Sequence, residues 1–549
     1  MKQQYNIALA QLNFVVGDIE GNTKLILANA QQAQSELQAD MVVFPELAIT
    51  GYPPEDLLLR PSLELRVEQA MAQIAAAELA ITIVLGFPES DEGILYNSLA
   101  VIQGGKLLAV YRKQSLPNYQ VFDERRYFES GHEPCLLDIA GTRMAFTVCE
   151  DMWEPGPVAQ AREAGARLMI NINASPFHTD KLLQRQHLLK RRAEEGGFPI
   201  VYLNLVGGQD ELVFDGASMA ISKEGDCRFL APSYTEGLYA LTLDIDEQGL
   251  CEFSLQERAP GLSREAQVYQ ALVMGVRDYV NKNGFKGVVL GLSGGIDSAL
   301  TLAVAVDALG SDRVEAVMMP FAFTSQLSLE VAQEQAKTLG VTYQVIAINE
   351  IYDAFMAALS TEFAGLPADV SEQNIQARAR GVLLMAISNK KGLLVLTTGN
   401  KSEIAVGYST LYGDMAGGFD VLKDVSKTLV YQLANYRNTE YMPEPTEVIP
   451  QRVIDRPPSA ELAPDQVDQD SLPPYDRLDR ILELYVEQDC SAETIIAKGF
   501  AADEVKRVLR LVDLNEYKRR QSPIGVRLTQ RGFGRDRRYP ITNAWPLGK

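Results

Sequence analysis

The stretch Gly291-Leu292-Ser293-Gly294-Gly295-Ile296-Asp297-Ser298 constrains the fold of this chain more than any other. Val288, Val289 and Leu290 lead into it as a short apolar run, and an Ala/Leu/Val-rich segment from Ala299 to Leu309 leaves it with helical spacing. A buried parallel strand therefore turns into a helix here. Gly294 and Gly295 let the backbone curl so that successive amides point inward, and the helix adds the positive end of its dipole. Ser293 and Ser298 can supply hydroxyl donors, and Asp297 is placed to hold a cation that bridges phosphate oxygens. Such a turn is a cradle for phosphate.

No Gly-x-x-x-x-Gly-Lys-[Ser/Thr] occurs in the chain, so the loop is not of the Walker type. It resembles the Ser-Gly-Gly-x-Asp-Ser loop of the ATP pyrophosphatase family, whose members grip the two departing phosphates and transfer AMP to a substrate. The resemblance implies that residues Gly291 to Ser298 bind ATP.

A chain of 549 residues exceeds what one core supports and implies two domains of roughly 250 residues or more. Its net charge of −21 disfavours nucleic acid and anionic membranes as partners, so an anionic ligand must meet a local basic site. The five cysteines contain no Cys-x-x-Cys and suit reduced thiols in a cytoplasm better than disulfides or a zinc site. With no signal-peptide core and no apolar run of about 18 residues, a soluble, cytoplasmic protein is expected.

Residues 1–258 alternate short apolar strands with amphipathic helices, the pattern of layered sheets covered by helices. Strands are expected at 7–12, 41–44, 81–87, 98–102, 107–111, 144–148, 168–172 and 200–205, and helices at 22–39, 62–79, 158–164 and 180–195. Three strand ends carry reactive groups: Glu46, Lys113 and Cys149. A cysteine attacks as thiolate; a nearby ammonium lowers its pKa and a carboxylate can shuttle its proton. Taken singly, the three read as a solvated acid, a surface lysine and a core thiol. The histidines His132, His178 and His187 lie in no comparable setting, and His178 and His187 read as a solvated helix face rather than as metal ligands.

Phe-Pro-Glu-Leu-Ala-Ile-Thr-Gly-Tyr-Pro-Pro-Glu-Asp-Leu-Leu from Phe44, Tyr-Arg-Lys-Gln-Ser-Leu-Pro-Asn-Tyr from Tyr111 and Cys-Glu-Asp-Met-Trp from Cys149 together resemble the nitrilase-type glutaminase domain of the glutamine-dependent NAD+ synthetases. The resemblance implies an α-β-β-α sandwich in which Glu46 is the general base, Cys149 the nucleophile and Lys113 the stabiliser of the tetrahedral intermediate. It places Tyr119, Ser175 and Lys181 on the glutamine substrate and gives Glu124 a supporting role.

Residues 250–264 lose periodicity around Pro260-Gly261 and read as a linker, so the second domain is expected at 259–549. Beyond it, helices at 265–281, 298–309, 327–339 and 369–390 alternate with strands at 287–292, 314–319, 343–348 and 393–397, as in a doubly wound α/β sheet whose ligands lie beyond the strand ends. The segment Thr398 to Glu403 leaves a second such end, where Glu403 can join Asp297 at a metal. By the same resemblance Asn374, Arg378, Glu403, Asp420 and Lys518 contact deamido-NAD+ or the metal, while Thr398, Lys427 and Ser459 lie near ATP. Some synthetases without a glutaminase domain carry a lysine where this chain has Leu411. The glycine-rich loop 407–420 reads as a mobile cover, and the basic tail from Asn515 as positive charge available to a pyrophosphate or a partner subunit.

The resulting expectation is a ligase with two sites: glutamine hydrolysis at Cys149, and adenylation of deamido-NAD+ by ATP with Mg2+ at the phosphate loop, followed by displacement of AMP by ammonia along an enclosed path. No organic prosthetic group is implied, and the resemblance suggests a homo-oligomer, dimer or octamer. Other glutamine-fed adenylating enzymes share the phosphate loop, but their usual glutaminase is not nitrilase-like and an RNA substrate suits the charge poorly.

Overall fold

The computed structural model describes residues 3–256, 258–441, 443–463, 468–470, 472–546 and 548. The chain divides into two compact units, Met1–Leu262 and Ser263–Lys549.

The first unit is built on two sheets. One has seven strands in the order Cys251–Phe253, Gly237–Ile245, Gln3–Gln11, Met41–Val43, Thr82–Asp91, Ile94–Gln103, Lys106–Arg112. The other has six, in the order Cys227–Leu230, Met219–Ile221, Ile200–Asn204, Leu168–Asn173, Thr142–Val148, Cys135–Ile139. Side-chain alternation sorts the apolar residues of each sheet onto two faces. Ile7, Leu9, Val84 and Val101 meet Phe146, Val148, Ile170 and Leu203 between the sheets. The opposite face of the first sheet, with Ala8, Val42, Ile83 and Leu85, packs against Ile26, Ala30, Val67 and Ile74 of helices Ile19–Ser35 and Pro61–Ala76. Ala145, Met169 and Ile200 do the same for helices Pro155–Glu163 and Lys181–Gly196. The layers run helix, sheet, sheet, helix.

Strand Cys251–Phe253 pairs with Gly237–Ile245, so the front part of the expected linker closes the edge of the first sheet. His178 is buried with 6% exposure, ahead of the helix on whose open face His187 lies, and so does not share the solvated face expected for both.

The second unit holds an all-parallel five-stranded sheet in the order Thr342–Val345, Val314–Met318, Val288–Gly291, Leu394–Thr397, Phe419–Asp420. Chain order runs outward from Val288–Gly291 in one direction and then reverses to Leu394–Thr397 on its other side. Ligands of open α/β sheets bind beyond the strand ends at such a reversal. Helices Tyr475–Leu482, Ala492–Ala497 and Ala502–Leu514 form an apolar cluster that also takes in Ala405 and Val406 of helix Lys401–Val406. No helix among the described residues is long and apolar enough to cross a membrane.

Candidate active sites

In the first unit three strand ends deliver Glu46, Lys113 and Cys149 to one place. Glu46 follows strand Met41–Val43 and is 1% exposed; Lys113 follows Lys106–Arg112 and is fully buried. Lys113 Nζ lies 2.7 Å from Glu46 Oε1 and 2.8 Å from Glu124 Oε2. Asn97 Nδ2 donates to Glu46 Oε1 at 2.7 Å, the Ala174 amide to Glu46 Oε2 at 3.0 Å, and Tyr52 OH to Glu124 Oε1 at 2.9 Å. Burial opposes the Lys113 ammonium, but Glu124 and Glu46 outweigh it and hold its pKa well above that of an ordinary lysine. Burial and the charge of Glu46 push the Glu124 carboxyl up to about 7 against the pull of Lys113.

Cys149 opens the short 3-10 helix Cys149–Met152 directly after strand Thr142–Val148, with φ 46°, a left-handed conformation unusual outside glycine. Residues held this way cluster at active sites because the surrounding structure must enforce them. Burial and Glu46 raise the Cys149 thiol pKa while Lys113 lowers it, so both groups act on the sulfur. Tyr119 OH donates to Glu150 Oε1 at 2.9 Å, and Lys181 Nζ sits 4.0 Å from the Trp153 ring centroid. Ser175 is held by its amide on Asn204 Oδ1 at 2.9 Å and by its carbonyl, which accepts from the buried Arg185 at 2.7 Å.

In the second unit the phosphate loop closes on itself: Ser293 Oγ lies 3.0 Å from Ser298 Oγ, and the Gly295 amide donates to Ser293 Oγ at 3.2 Å. Gly294 has φ +80°, and a Cβ there would come within 2.5 Å of the Ser328 carbonyl oxygen, so glycine is required for both reasons. Gly295 caps helix Ile296–Leu309, which presents Asp297 in its first turn. Across the sheet reversal, Asn400 caps helix Lys401–Val406 through the Glu403 amide at 3.0 Å and donates to Asp297 Oδ1 at 2.8 Å. Lys427 Nζ lies 2.6 Å from Asp297 Oδ2 and 2.9 Å from Glu403 Oε1. Burial pushes Glu403 up to about 7 despite this lysine. Thr398 lies half-buried beside the same end, and Ser459 Oγ accepts from the Glu461 amide at 3.2 Å.

The remaining residues surround the loop 407–420. Asn374 Oδ1 accepts from Thr410 Oγ1 at 2.8 Å, Arg378 Nε donates to the Leu411 carbonyl at 3.2 Å, and Lys518 Nζ donates to the Gly407 and Ser409 carbonyls at 2.8 Å each. The loop expected to be a mobile cover thus meets side chains expected to bind the acceptor, Arg378 and Lys518 at its backbone and Asn374 at the Thr410 hydroxyl. Asp420 is buried, its Oδ1 has no partner, and burial raises its carboxyl to about 7. The basic tail is largely satisfied internally: Arg519, Arg520 and Arg537 pair with Glu516, and Arg527 with Asp536. Lys549, also in that tail, lies outside the described residues.

Sequence reasoning missed Asn97, Tyr52, Asn400 and Arg380. Arg380 Nε donates to the Met319 carbonyl at 2.9 Å beyond a strand end, and burial lowers its pKa to about 10 against Glu461 and Asp414. Its only sequence signal was its place two residues after Arg378 on the same helix.

A buried Cys–Lys–Glu cluster in a four-layer sandwich, joined to a parallel sheet with a phosphate loop at its reversal, defines a two-site enzyme that combines carbon–nitrogen bond hydrolysis with nucleotide chemistry. The carbon-nitrogen hydrolase family model matches residues 6–251 and the NAD synthase model residues 268–522. The glutamine-dependent NAD+ synthetase of Acinetobacter baylyi is 51% identical over 99% of both chains. The structure of the Acinetobacter baumannii glutamine-dependent NAD+ synthetase in complex with ADP is 48% identical, covers 99% of this chain and 100% of that one, and superposes with a TM-score of 0.80. The Cytophaga hutchinsonii synthetase, 23% identical, shares the fold with a TM-score of 0.83 over 99% of this chain and 98% of its own. The chain belongs to the glutamine-dependent NAD+ synthetase family.

Proposed function

We propose that this enzyme amidates deamido-NAD+ to NAD+, using ATP to activate the carboxylate and glutamine as nitrogen donor, with release of glutamate, AMP and pyrophosphate. Residues 1–258 carry the glutaminase step and 259–549 the synthetase step. The observation that supports this best is that one chain holds both the Cys149 turn beside a buried Glu46–Lys113 pair at 2.7 Å and a phosphate loop whose Asp297 shares Lys427 with Glu403.

Burial keeps the Cys149 thiol protonated, so attack needs a base at hand. Glu46 takes the thiol proton as Sγ bonds to the side-chain carbonyl carbon of glutamine, and returns it to the departing amide nitrogen when the carbon–nitrogen bond breaks. Lys113 Nζ donates to the oxyanion between these events. Ammonia leaves, water cleaves the thioester and glutamate follows. Tyr119, Ser175 and Lys181 hold the amino acid, and Glu124 keeps Lys113 charged.

In the second unit the amides of Gly291 to Ser298, with Thr398, Lys427 and Ser459, hold ATP. Asn374, Arg378, Glu403, Asp420 and Lys518 hold deamido-NAD+. The nicotinate carboxylate attacks the α-phosphorus, pyrophosphate departs, and ammonia then displaces AMP from the acyl carbon. No group of three or more His, Cys, Asp or Glu side chains converges among the described residues. Asp297 and Glu403 nonetheless suit Mg2+, which is commonly held by one or two carboxylates plus substrate phosphates. Bound there, Mg2+ would neutralise phosphate charge.

Replacing Cys149 by Ala should abolish NAD+ formation from glutamine and spare formation from concentrated ammonium; equal loss with both donors would contradict this division of labour. A cytoplasmic location suits the five free cysteines. A homo-oligomer, dimer or octamer, is supported by helix Asn349–Leu359, which has no buried residue and exposes Phe355, and by exposed Val370 and Val382 of helix Val370–Lys391. The native mass measures it.

A further inference from the structure

The carboxylate of Asp151, two residues beyond the nucleophile, takes no part in the steps above, yet it is fully buried and meets four donors. Its Oδ2 accepts from the Val148 amide at 3.0 Å and from Tyr111 OH at 2.8 Å. Its Oδ1 accepts from the Gln114 amide at 3.1 Å and the Ser115 amide at 2.8 Å. Val148 immediately precedes Cys149, and Tyr111, Gln114 and Ser115 bracket Lys113 on both sides. One side chain therefore joins the turn that carries the sulfur to the strand end that carries the ammonium.

We propose that Asp151 is a positioning residue that sets Cys149 against Lys113 and holds the strained nucleophile turn. The inference rests on Cys149 being the glutaminase nucleophile. A left-handed φ at a non-glycine residue persists only where its neighbours leave no alternative. Here the backbone before Cys149 and the side chain after it are fastened to each other, and both to the Lys113 segment. Burial holds the Asp151 carboxyl above its ordinary pKa, while the Val148 and Ser115 amides, the Lys113 charge and Tyr111 OH favour its charged form. An amide at this position can accept through one oxygen only, so it must abandon the donors on one side. Either the sulfur's turn or the lysine's loop is then released.

The test uses the full-length enzyme. Asp151→Asn should lower kcat for glutamate release by about 100-fold, the loss expected for a misplacement of about 1 Å, with KM for glutamine little changed. Synthesis from ammonium should be intact. The pH profile of iodoacetamide alkylation at Cys149, followed by mass spectrometry of its peptide, should move upward by about one unit as the sulfur loses part of the Lys113 field. Tyr111→Phe removes one of the four donors and should shift both readouts in the same direction by less. It decides the matter if Asp151→Asn does not fold. An unchanged kcat with a superimposable alkylation profile would overturn the proposal. Cys149→Ala separates the two levels: if it keeps glutaminase activity, the nucleophile assignment falls; if it loses activity while the Asp151 and Tyr111 variants behave as wild type, only the positioning role falls.

Discussion

At the residue scale, the two sites hold carboxyl groups in places that stability alone would not choose. Asp420 is the clearest case, since burial moves its pKa from 3.8 to about 7 and its Oδ1 lacks a partner. A carboxyl raised on folding binds its proton more tightly in the native state. Its contribution is therefore fully present below the unfolded pKa and is lost as pH rises toward the folded value. Asp420→Asn removes this loss. The variant should melt at a higher temperature than wild type at pH 8, by a margin that narrows as pH falls toward about 4, while KM for deamido-NAD+ rises. A margin independent of pH would show that the carboxyl is not the cause. The strand-end placement of Glu46, Lys113 and Cys149 was legible in the sequence because each follows an apolar run, while the roles expected of them came from the family resemblance. Of their partners, Glu124 was expected in a supporting role from the family resemblance, whereas Asn97 and Tyr52 were not, because Asn97 reaches Glu46 from the strand paired with the one before Lys113 and Tyr52 reaches Glu124 from a loop 72 residues away.

At the scale of elements, helices Ile296–Leu309 and Lys427–Thr439 carry ion pairs at both ends: Asp297 with Lys427, and Asp307 with Arg437. Each helix places its two charges ten residues apart, about 15 Å along the axis, so the pairs match only if the helices run parallel and in register. Arg437 is 1% exposed, and its Nε lies 2.6 Å from Asp307 Oδ2. Arg437→Met leaves the buried Asp307 carboxylate with Tyr269 OH but no cation and should cost about 3–5 kcal/mol, with a rise in KM for ATP and unchanged glutaminase activity. Denaturant unfolding of the second unit reads the first effect and steady-state kinetics the other two. The loop 407–420 gives a second test. A Cβ at Gly413 would approach Ala377 Cβ to 2.8 Å, and Ala377 shares a helix with Asn374 and Arg378. Gly413→Ala should push the loop off that helix, speed amide exchange across 407–420 and weaken deamido-NAD+ binding. The major helices and strands around both sites follow from apolar spacing. The two-residue strand Phe419–Asp420, which places Asp420, has no period to read, and the anchoring of the loop depends on side chains from two segments far apart in the chain, helix Val370–Lys391 and Lys518.

At the scale of the whole molecule, both chemistries must share one nitrogen atom. Near neutral pH free ammonia is mostly ammonium, which has no lone pair with which to attack an acyl adenylate. Ammonia released at Cys149 and allowed into bulk solvent would therefore be diluted and mostly protonated before it could reach the second reaction. Direct transfer predicts that glutamine labelled with nitrogen-15 at its amide, given to the enzyme with excess unlabelled ammonium at neutral pH, yields NAD+ in which the label predominates. Mass spectrometry of the product reads the ratio. Cys149→Ala in the same mixture should give only unlabelled NAD+, formed from ammonium, and Asp297→Asn should impair formation from both sources. If the wild-type product instead carried the bulk isotope ratio, direct transfer would be excluded while the glutaminase and the ligase remained intact. The chain would then be two enzymes joined by sequence rather than one enzyme joined by an intermediate.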